Sequence, residues 1–265
     1  MAKIIGNQNQ LPEILYKYRD WNNKNHRRII SNNELYLATP GSFNDPFDCK
    51  IPMRWDKMTK DDKNKMIDPL LETITRNRKL PSERLIEVRD EIFKSFFKDE
   101  LKAQGWIPFD KLDQKSGLIC LTSDPLNILM WSHYASSHHG FCIGFYTEAL
   151  LKLNTIDYIG MVNYSASFPV TNFDASFDIK FYNQMFSKSD LWAYEKEYRI
   201  SKMHMSDRLI QLPDEAIAEI YLGCQISEQF KNEIIQTVNI RNIPIKIFET
   251  KAHVENYEIV TEIIN

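Results

Sequence analysis

Gly117-Leu118-Ile119-Cys120-Leu121 is a continuous apolar run of strand length, and the residues after it, Thr122-Ser123-Asp124-Pro125, carry the side-chain acceptors and first-turn proline with which helices begin. The spacing predicts a helix from there to about residue 136. It is apolar on several sides, through Leu126, Ile128, Leu129, Met130, Trp131, Tyr134 and Ala135, and is therefore expected to be buried. Gly140 ends it, and Phe141-Cys142-Ile143-Gly144-Phe145-Tyr146 is the next strand. Further along, strands are expected near 160–165, 197–202 and 219–224. A helix over about 227–238 then leads to a strand at 243–249, a strand, helix, strand order that places the last two strands parallel. No other regular alternation of strands with helices appears. The reading is an α+β fold with a mainly antiparallel sheet.

Towards the N-terminus, Glu34-Leu35-Tyr36-Leu37-Ala38 alternates as a half-buried strand does and stops at Pro40-Gly41. Between 57 and 104 the character changes. Lys, Asp and Glu surround the spaced apolar set Met66, Ile67, Leu70, Leu71 and Ile74, then Leu85, Ile86, Ile92, Phe93, Phe96 and Phe97. These intervals fit two amphipathic helices divided at Pro81-Ser82, with Ser82 as an N-cap. The segment reads as a helical insertion or lid beside a cleft, or as a charged helical face covering the sheet. A chain of 265 residues with 43% hydrophobic content buries enough core for one α+β domain over 1–265. Its net charge of −3 gives no general attraction to nucleic acid or to an anionic membrane. Cys49, Cys120, Cys142 and Cys224 lie far apart without a CxxC pair, so neither a zinc site nor a disulfide framework is indicated and no metal is expected. The opening residues lack a signal-like apolar region, and no later run reaches the roughly 18 apolar residues that span a bilayer. A cytoplasmic protein with no membrane partner is expected.

Four short segments mix large rings with charged or hydrogen-bonding groups, which is the composition of a pocket lining. They are Tyr16-Lys17-Tyr18-Arg19, Phe43-Asn44-Asp45-Pro46-Phe47-Asp48, Met130-Trp131-Ser132-His133-Tyr134-Ala135 and Tyr194-Glu195-Lys196-Glu197-Tyr198-Arg199. Arg19, Asn44, His133 and Glu197 are expected to converge on one cleft. In the first segment Lys17 and Arg19 share a face if extended, either as solvated cations on an aromatic edge strand or with Arg19 as an anchor for phosphate or ribose. The second is an Asx-type turn, or a loop presenting Asn44, Asp45 and Phe47 to a ligand. Asp45 and Asp48 lack the further carboxylates that a hard cation needs. His133, inside a helix read as buried, is more often a satisfied core histidine than a ligand, although Trp131, Ser132 and Tyr134 beside it offer stacking and hydrogen bonds. The helix start at 123–126 offers N–H groups to a phosphate. In the last segment a strand period puts Glu195, Glu197 and Arg199 on one face and Tyr194, Tyr198 and Ile200 on the other. Two carboxylates beside a guanidinium can hold a sugar hydroxyl and stabilise positive charge at an anomeric carbon. The same cluster also fits an ion network on a solvated face, and the segment could instead finish a helix.

In this order the four segments resemble the bacterial domain-of-unknown-function family DUF2971, from about residue 15 to residue 200, with Gly140-Phe141-Cys142-Ile143 and the 192–199 stretch included. The layout is similar, at a distance, to ADP-ribosyltransferase-like proteins, which have an aromatic-basic first strand, a Ser or Tyr middle motif and a late Glu-x-Glu strand. That resemblance implies a split antiparallel sheet with NAD lying across it as substrate. It implies Arg19 anchoring a ribose or phosphate, Ser123 or Tyr134 at the nicotinamide, Glu197 stabilising the oxocarbenium ion and Glu195 activating the acceptor. Tyr18, Asn44, Asp45, Phe47, Trp131 and His133 would complete the binding surface. Leu121-Thr122-Ser123 is a partial substitute for the Ser-Thr-Ser triplet of the best-marked members. Such a protein would be a toxin or antiphage defence effector that modifies a nucleic-acid or protein acceptor, or consumes NAD, and would answer to a defence-system partner protein. The alternative is a noncatalytic module that recognises a nucleotide or protein trigger. A nuclease would need a metal cluster that the sequence does not offer.

Overall fold

The computed structural model describes residues 2–6, 11–52, 54, 57–78, 81, 84–97, 109–172, 174–241 and 243–264. In chain order its strands are β1 (Lys3–Ile4), β2 (Ile14–Arg19), β3 (Glu34–Tyr36), β4 (Gly117–Thr122), β5 (Phe141–Tyr146), β6 (Tyr158–Met161), β7 (Asn163–Ser165), β8 (Ser187–Ser189), β9 (Glu197–Lys202), β10 (Leu209–Gln211), β11 (Ile217–Leu222), β12 (Lys246–Ala252) and β13 (Ile259–Ile263). The helices are α1 (Lys24–Ser31), α2 (Lys60–Arg78), α3 (Leu85–Phe97), α4 (Phe109–Lys115), α5 (Ile128–Tyr134), α6 (Thr147–Leu151), α7 (Phe177–Met185) and α8 (Glu228–Asn239). Nine strands form the central sheet in the order β1-β6-β9-β4-β2-β5-β11-β12-β13. Its neighbours are antiparallel except for β1 with β6 and β11 with β12, the second pair being the expected one, connected through α8.

The sheet is therefore mixed and mostly antiparallel, and the split sheet implied by the resemblance is corrected. Tyr16 pairs with Thr122 and so holds β2 to β4 within one sheet. That residue pair is the whole ladder between them, whereas β4 and β9 pair over six positions, from Gly117↔Lys202 to Thr122↔Glu197. Beyond Tyr16 the strands part, and the Lys17 ammonium donates to the Cys120 carbonyl at 2.7 Å in place of a backbone partner.

Period-two alternation sets the core. Ile119 and Leu121 of β4, Phe141, Ile143 and Phe145 of β5, and Tyr198 and Ile200 of β9 point to one face, where α1, α6 and α8 cover them through Ile29, Ile30, Leu150, Ile234 and Val238. Each such side chain contributes roughly 1.5–3 kcal/mol by leaving water. On the other face Tyr16, Tyr18 and Cys142 meet Met130 and Trp131 of α5, while Leu112 of α4 joins Phe181 and Met185 of α7 in a third cluster.

Helices α2 and α3 pair with each other, and Arg89 bonds Asp68 between them at 2.7 Å. A reciprocal cap of Thr59 with Asp62 starts α2. The Ser82 cap and residues 98–104 lie outside the described residues. Among the described residues no helix is long and apolar enough to cross a membrane.

Helix α5 begins later than the sequence pattern predicts. Thr122 Oγ1 accepts the Asp124 N–H and Asp124 Oδ1 accepts the Leu126 N–H, so these residues close local turns, and Asn127 is the cap, accepting from Leu129 and Met130. The phosphate cradle expected at 123–126 is thereby removed. The helix is also only partly buried. Met130 and Trp131 face inward, but Ile128, Leu129 and His133 are exposed, which corrects the reading of His133 as a core residue. After α5 come three consecutive left-handed residues without glycine, Ser136, Ser137 and His138, at φ 51, 52 and 69°. Left-handed backbone costs such residues roughly 1–2 kcal/mol each. Bonds from His138 N–H to Trp131 O, from Gly140 N–H to Ala135 O and from Gln225 N–H to His138 O hold the turn. At Gly140 a Cβ would lie 2.2 Å from the Arg19 carbonyl, so only glycine lets β5 start beside β2.

Candidate functional site

Where β2 and β4 part, a cleft of about 370 Å³ opens. Tyr16 to Arg19 of β2, the turn residues Phe43, Asn44 and Asp48, Cys120 of β4, Met130, His133 and Tyr134 of α5, and Lys188, Glu195 and Glu197 border it. Arg19, Asn44, His133 and Glu197 thus meet at one cleft although they come from four separate segments.

Its floor is a buried charge cluster. Arg199, fully buried, donates to both Asp48 carboxylate oxygens at 2.7 Å and to Glu197 Oε1 and Oε2 at 2.7 and 3.1 Å. Nη1 also donates to the Met185 carbonyl at 2.7 Å and to Cys49 Sγ at 3.6 Å, and the Phe43 ring lies 5.4 Å from Cζ. Lys188 Nζ is 2.6 Å from Glu195 and 3.3 Å from Glu197, and sits 4.8 Å from the Trp192 ring centre. The solvated ion network considered for this segment is corrected on this point, because Asp48, Lys188, Glu195 and Glu197 are all buried. With three carboxylates and two cations, the cluster keeps one net negative charge.

Local geometry explains how both glutamates reach Lys188. The β9 alternation turns Glu197 and Arg199 away from the core that holds Tyr198 and Ile200. Glu195 instead ends a 3-10 helix, Asp190–Glu195, and the left-handed Lys196, at φ 43°, reverses the chain between the two carboxylates. Tyr194 consequently packs on the α5 side with Tyr16 and Tyr18, apart from Tyr198.

The two glutamates differ in proton affinity. Burial alone would push the Glu197 carboxyl up, but Arg199 and Lys188 outweigh it and hold the group at about 2. Burial raises Glu195 above the ordinary carboxylate range, with Lys188 opposing and Glu197 reinforcing the rise. The Tyr134 hydroxyl donates to Glu195 Oε1 at 2.7 Å, and Asn44 borders the cleft with it. Glu197 is held ionised by its two cations, whereas Glu195, facing Lys188 alone, takes a proton more readily than an ordinary glutamate.

Lys17 is the cleft cation with the largest consequence. Burial first, then the charge of Arg19, pushes it from 10.5 to about 7. Between those values the unfolded chain binds a proton that the native chain does not, so stability rises with pH across this window. Thermal melts from pH 7 to 10 should show a rise that is lost in Lys17→Met; identical pH profiles in the two proteins would remove the buried-ammonium account.

Tyr18 borders the cleft and donates its hydroxyl to the Asp124 carbonyl at 2.8 Å. Trp131 is buried behind it, edge-on at 5.1 Å, with Nε1 bonded to the Pro125 carbonyl. Ser123 lies off the cleft lining, its N–H directed to the Lys196 carbonyl. Asp45 and Phe47 border a second cavity of about 370 Å³ with Arg54, Phe168 and Ser187, and Asp48 and Lys188 form the wall between the two. Asp45 Oδ1 accepts the Phe47 N–H at 2.9 Å, the Asx turn that the sequence offered. Lys188 was not among the sequence candidates. It sits in the short polar strand Ser187-Lys188-Ser189, which resembles a loop, and no local pattern marks it.

Residues 130–200 match the model of a family described as a protein of unknown function, DUF2971. The match runs from α5 to β9 and so contains Tyr134, Lys188, Glu195, Glu197 and Arg199, while β2 and the 43–48 turn lie before it. No curated protein and no solved structure matches the chain.

Proposed function

We propose that the cleft binds NAD and cleaves its nicotinamide N-glycosidic bond, as the resemblance to ADP-ribosyltransferase-like proteins implies. The observation that carries this reading is the divided carboxylate pair, Glu197 held ionised and Glu195 with raised proton affinity, in one cleft with Lys17 and Arg19. Arg19, joined by Lys17 when protonated, would hold the phosphates, and Tyr18, His133 and Tyr134 would flank the nicotinamide. As the bond from the ribose carbon to the ring nitrogen breaks, its electron pair leaves with nicotinamide and the fixed charge of Glu197 stabilises the cation left behind. Water, or a hydroxyl of a nucleic-acid or protein acceptor, then attacks that carbon and gives its proton to Glu195. In a bacterial cytoplasm this is the chemistry of a toxin or antiphage defence effector.

One observation favours the noncatalytic alternative. Both Glu197 oxygens are already bonded, to Arg199 and Lys188, which offsets the charge available to a transition state. Incubation of NAD with the purified chain, followed by mass spectrometry for free nicotinamide and calorimetry for affinity, separates the two. Release of nicotinamide is expected. Binding without release would leave a nucleotide-recognition module, and absence of both would end the NAD reading.

A further inference from the structure

A second group of reactive side chains borders a cavity of about 510 Å³ that shares no lining residue with the cleft. Cys224 follows β11, and its Sγ lies 3.7 Å from His138 Nδ1. On the other side of the ring, His138 Nε2 is 3.1 Å from Ser132 Oγ, and that hydroxyl donates to the Ile128 carbonyl at 3.0 Å. A hydroxyl carries one proton. With it committed to Ile128, Ser132 must accept from His138 Nε2–H, and a neutral imidazole then turns its lone pair at Nδ1 towards the thiol. Nucleophile, base and orienting group stand in the order that thiol activation requires. Burial holds the imidazole below its ordinary value and the thiol above its own, so the proton stays on sulfur and the base stays free to take it.

We propose that Cys224 is an exchange site for small disulfides, with His138 as its general base. Sulfur attacks one atom of R–S–S–R as its proton passes to His138 Nδ1. The S–S bond breaks, and the departing thiolate collects that proton, giving Cys224–S–S–R and R–SH. Acyl donors fit less well. The N–H groups of Gly223, Gln225 and Ile226 are already bonded to the carbonyls of Gly140, His138 and Gly223, so none of them can receive an oxyanion. Disulfide exchange needs no such donor, because its charge develops on the leaving sulfur. Cys49 and Cys142 are buried, and Cys120 borders the first cleft, where burial and then Glu197 push its thiol up and no imidazole among the described residues bonds it; Cys224 is the half-buried cysteine with a histidine beside it, at the open cavity formed with residues 252–259.

The test treats the full chain with oxidised glutathione and maps the adduct by peptide mass spectrometry. A mixed disulfide at Cys224 is expected, formed more slowly by roughly tenfold or more in His138→Asn, which removes the base. Asparagine tolerates the left-handed backbone at this position, and Ser132→Ala, which leaves that turn untouched and is expected to slow exchange several-fold, guards against an effect of misfolding. An adduct on another cysteine, or equal rates in both variants and the parent, would overturn the proposal.

Discussion

Arg199→Met should lower unfolding free energy by about 3–5 kcal/mol at neutral pH and the melting temperature by roughly 6–20 °C. The reason lies in what remains after the guanidinium is gone. Asp48 loses both of its 2.7 Å partners and Glu197 loses two of its bonds, while both stay buried with Lys188 as the remaining cation of the cluster. The cluster passes from one net negative charge to two, in a place where water cannot screen it. Its carboxylates should answer by taking up protons, so the deficit should be smaller at pH 5 than at pH 8. Urea denaturation at the two pH values measures both effects. A loss of under about 1 kcal/mol, the size expected of a surface pair, would show that the cluster is energetically idle.

In Glu197→Gln, turnover of NAD should fall by a factor on the order of 10² or more while nucleotide affinity changes far less, because the charge removed acts mainly in the transition state. Replacement by an amide keeps shape and brings the cluster to neutrality, so Arg199 retains Asp48 and the variant should stay folded at assay temperature. Calorimetric affinity and nicotinamide release, measured on one preparation of confirmed folding, separate catalysis from structure. Should the variant turn over at the parent rate, Glu197 has no part in the chemistry and its place is the ion cluster alone.

Local pattern was enough to find much of this architecture. The apolar run that became β4, the parallel pair β11 and β12 around α8, and the 85–97 helix all follow from short-range periodicity. The start of α5 was misread because Thr122 and Asp124 look like caps, yet spend their side chains on turns before Asn127. Segment composition pointed to Arg19, Asn44, His133 and Glu197, which line one cleft. It gave no hint that Asp48 pairs with Arg199 across 151 residues, or that Cys224 meets His138 across 86. Such partnerships are made by topology, and no window of neighbouring residues contains them. Lys17 shows the same limit from another side. Alternation set its direction beside Arg19, but whether that direction led to water or to a dry gap depended on how far β4 stands from β2.

Viewed as a mechanical object, the sheet is two stitched panels, β1-β6-β9-β4 and β2-β5-β11-β12-β13, fastened by one button at Tyr16 and Thr122 with the Lys17 side chain as a strap. Unfastening it breaks that pair and strap, and the Tyr18 bond to the Asp124 carbonyl, while every other ladder stays closed, so what chiefly opposes such an excursion, a yawning of the two panels about their common seam, is the apolar core they share. A guest broader than the resting gap would be admitted by that excursion without either panel unravelling. Tightness at the button and in that core would then set how often the molecule is ready to receive it.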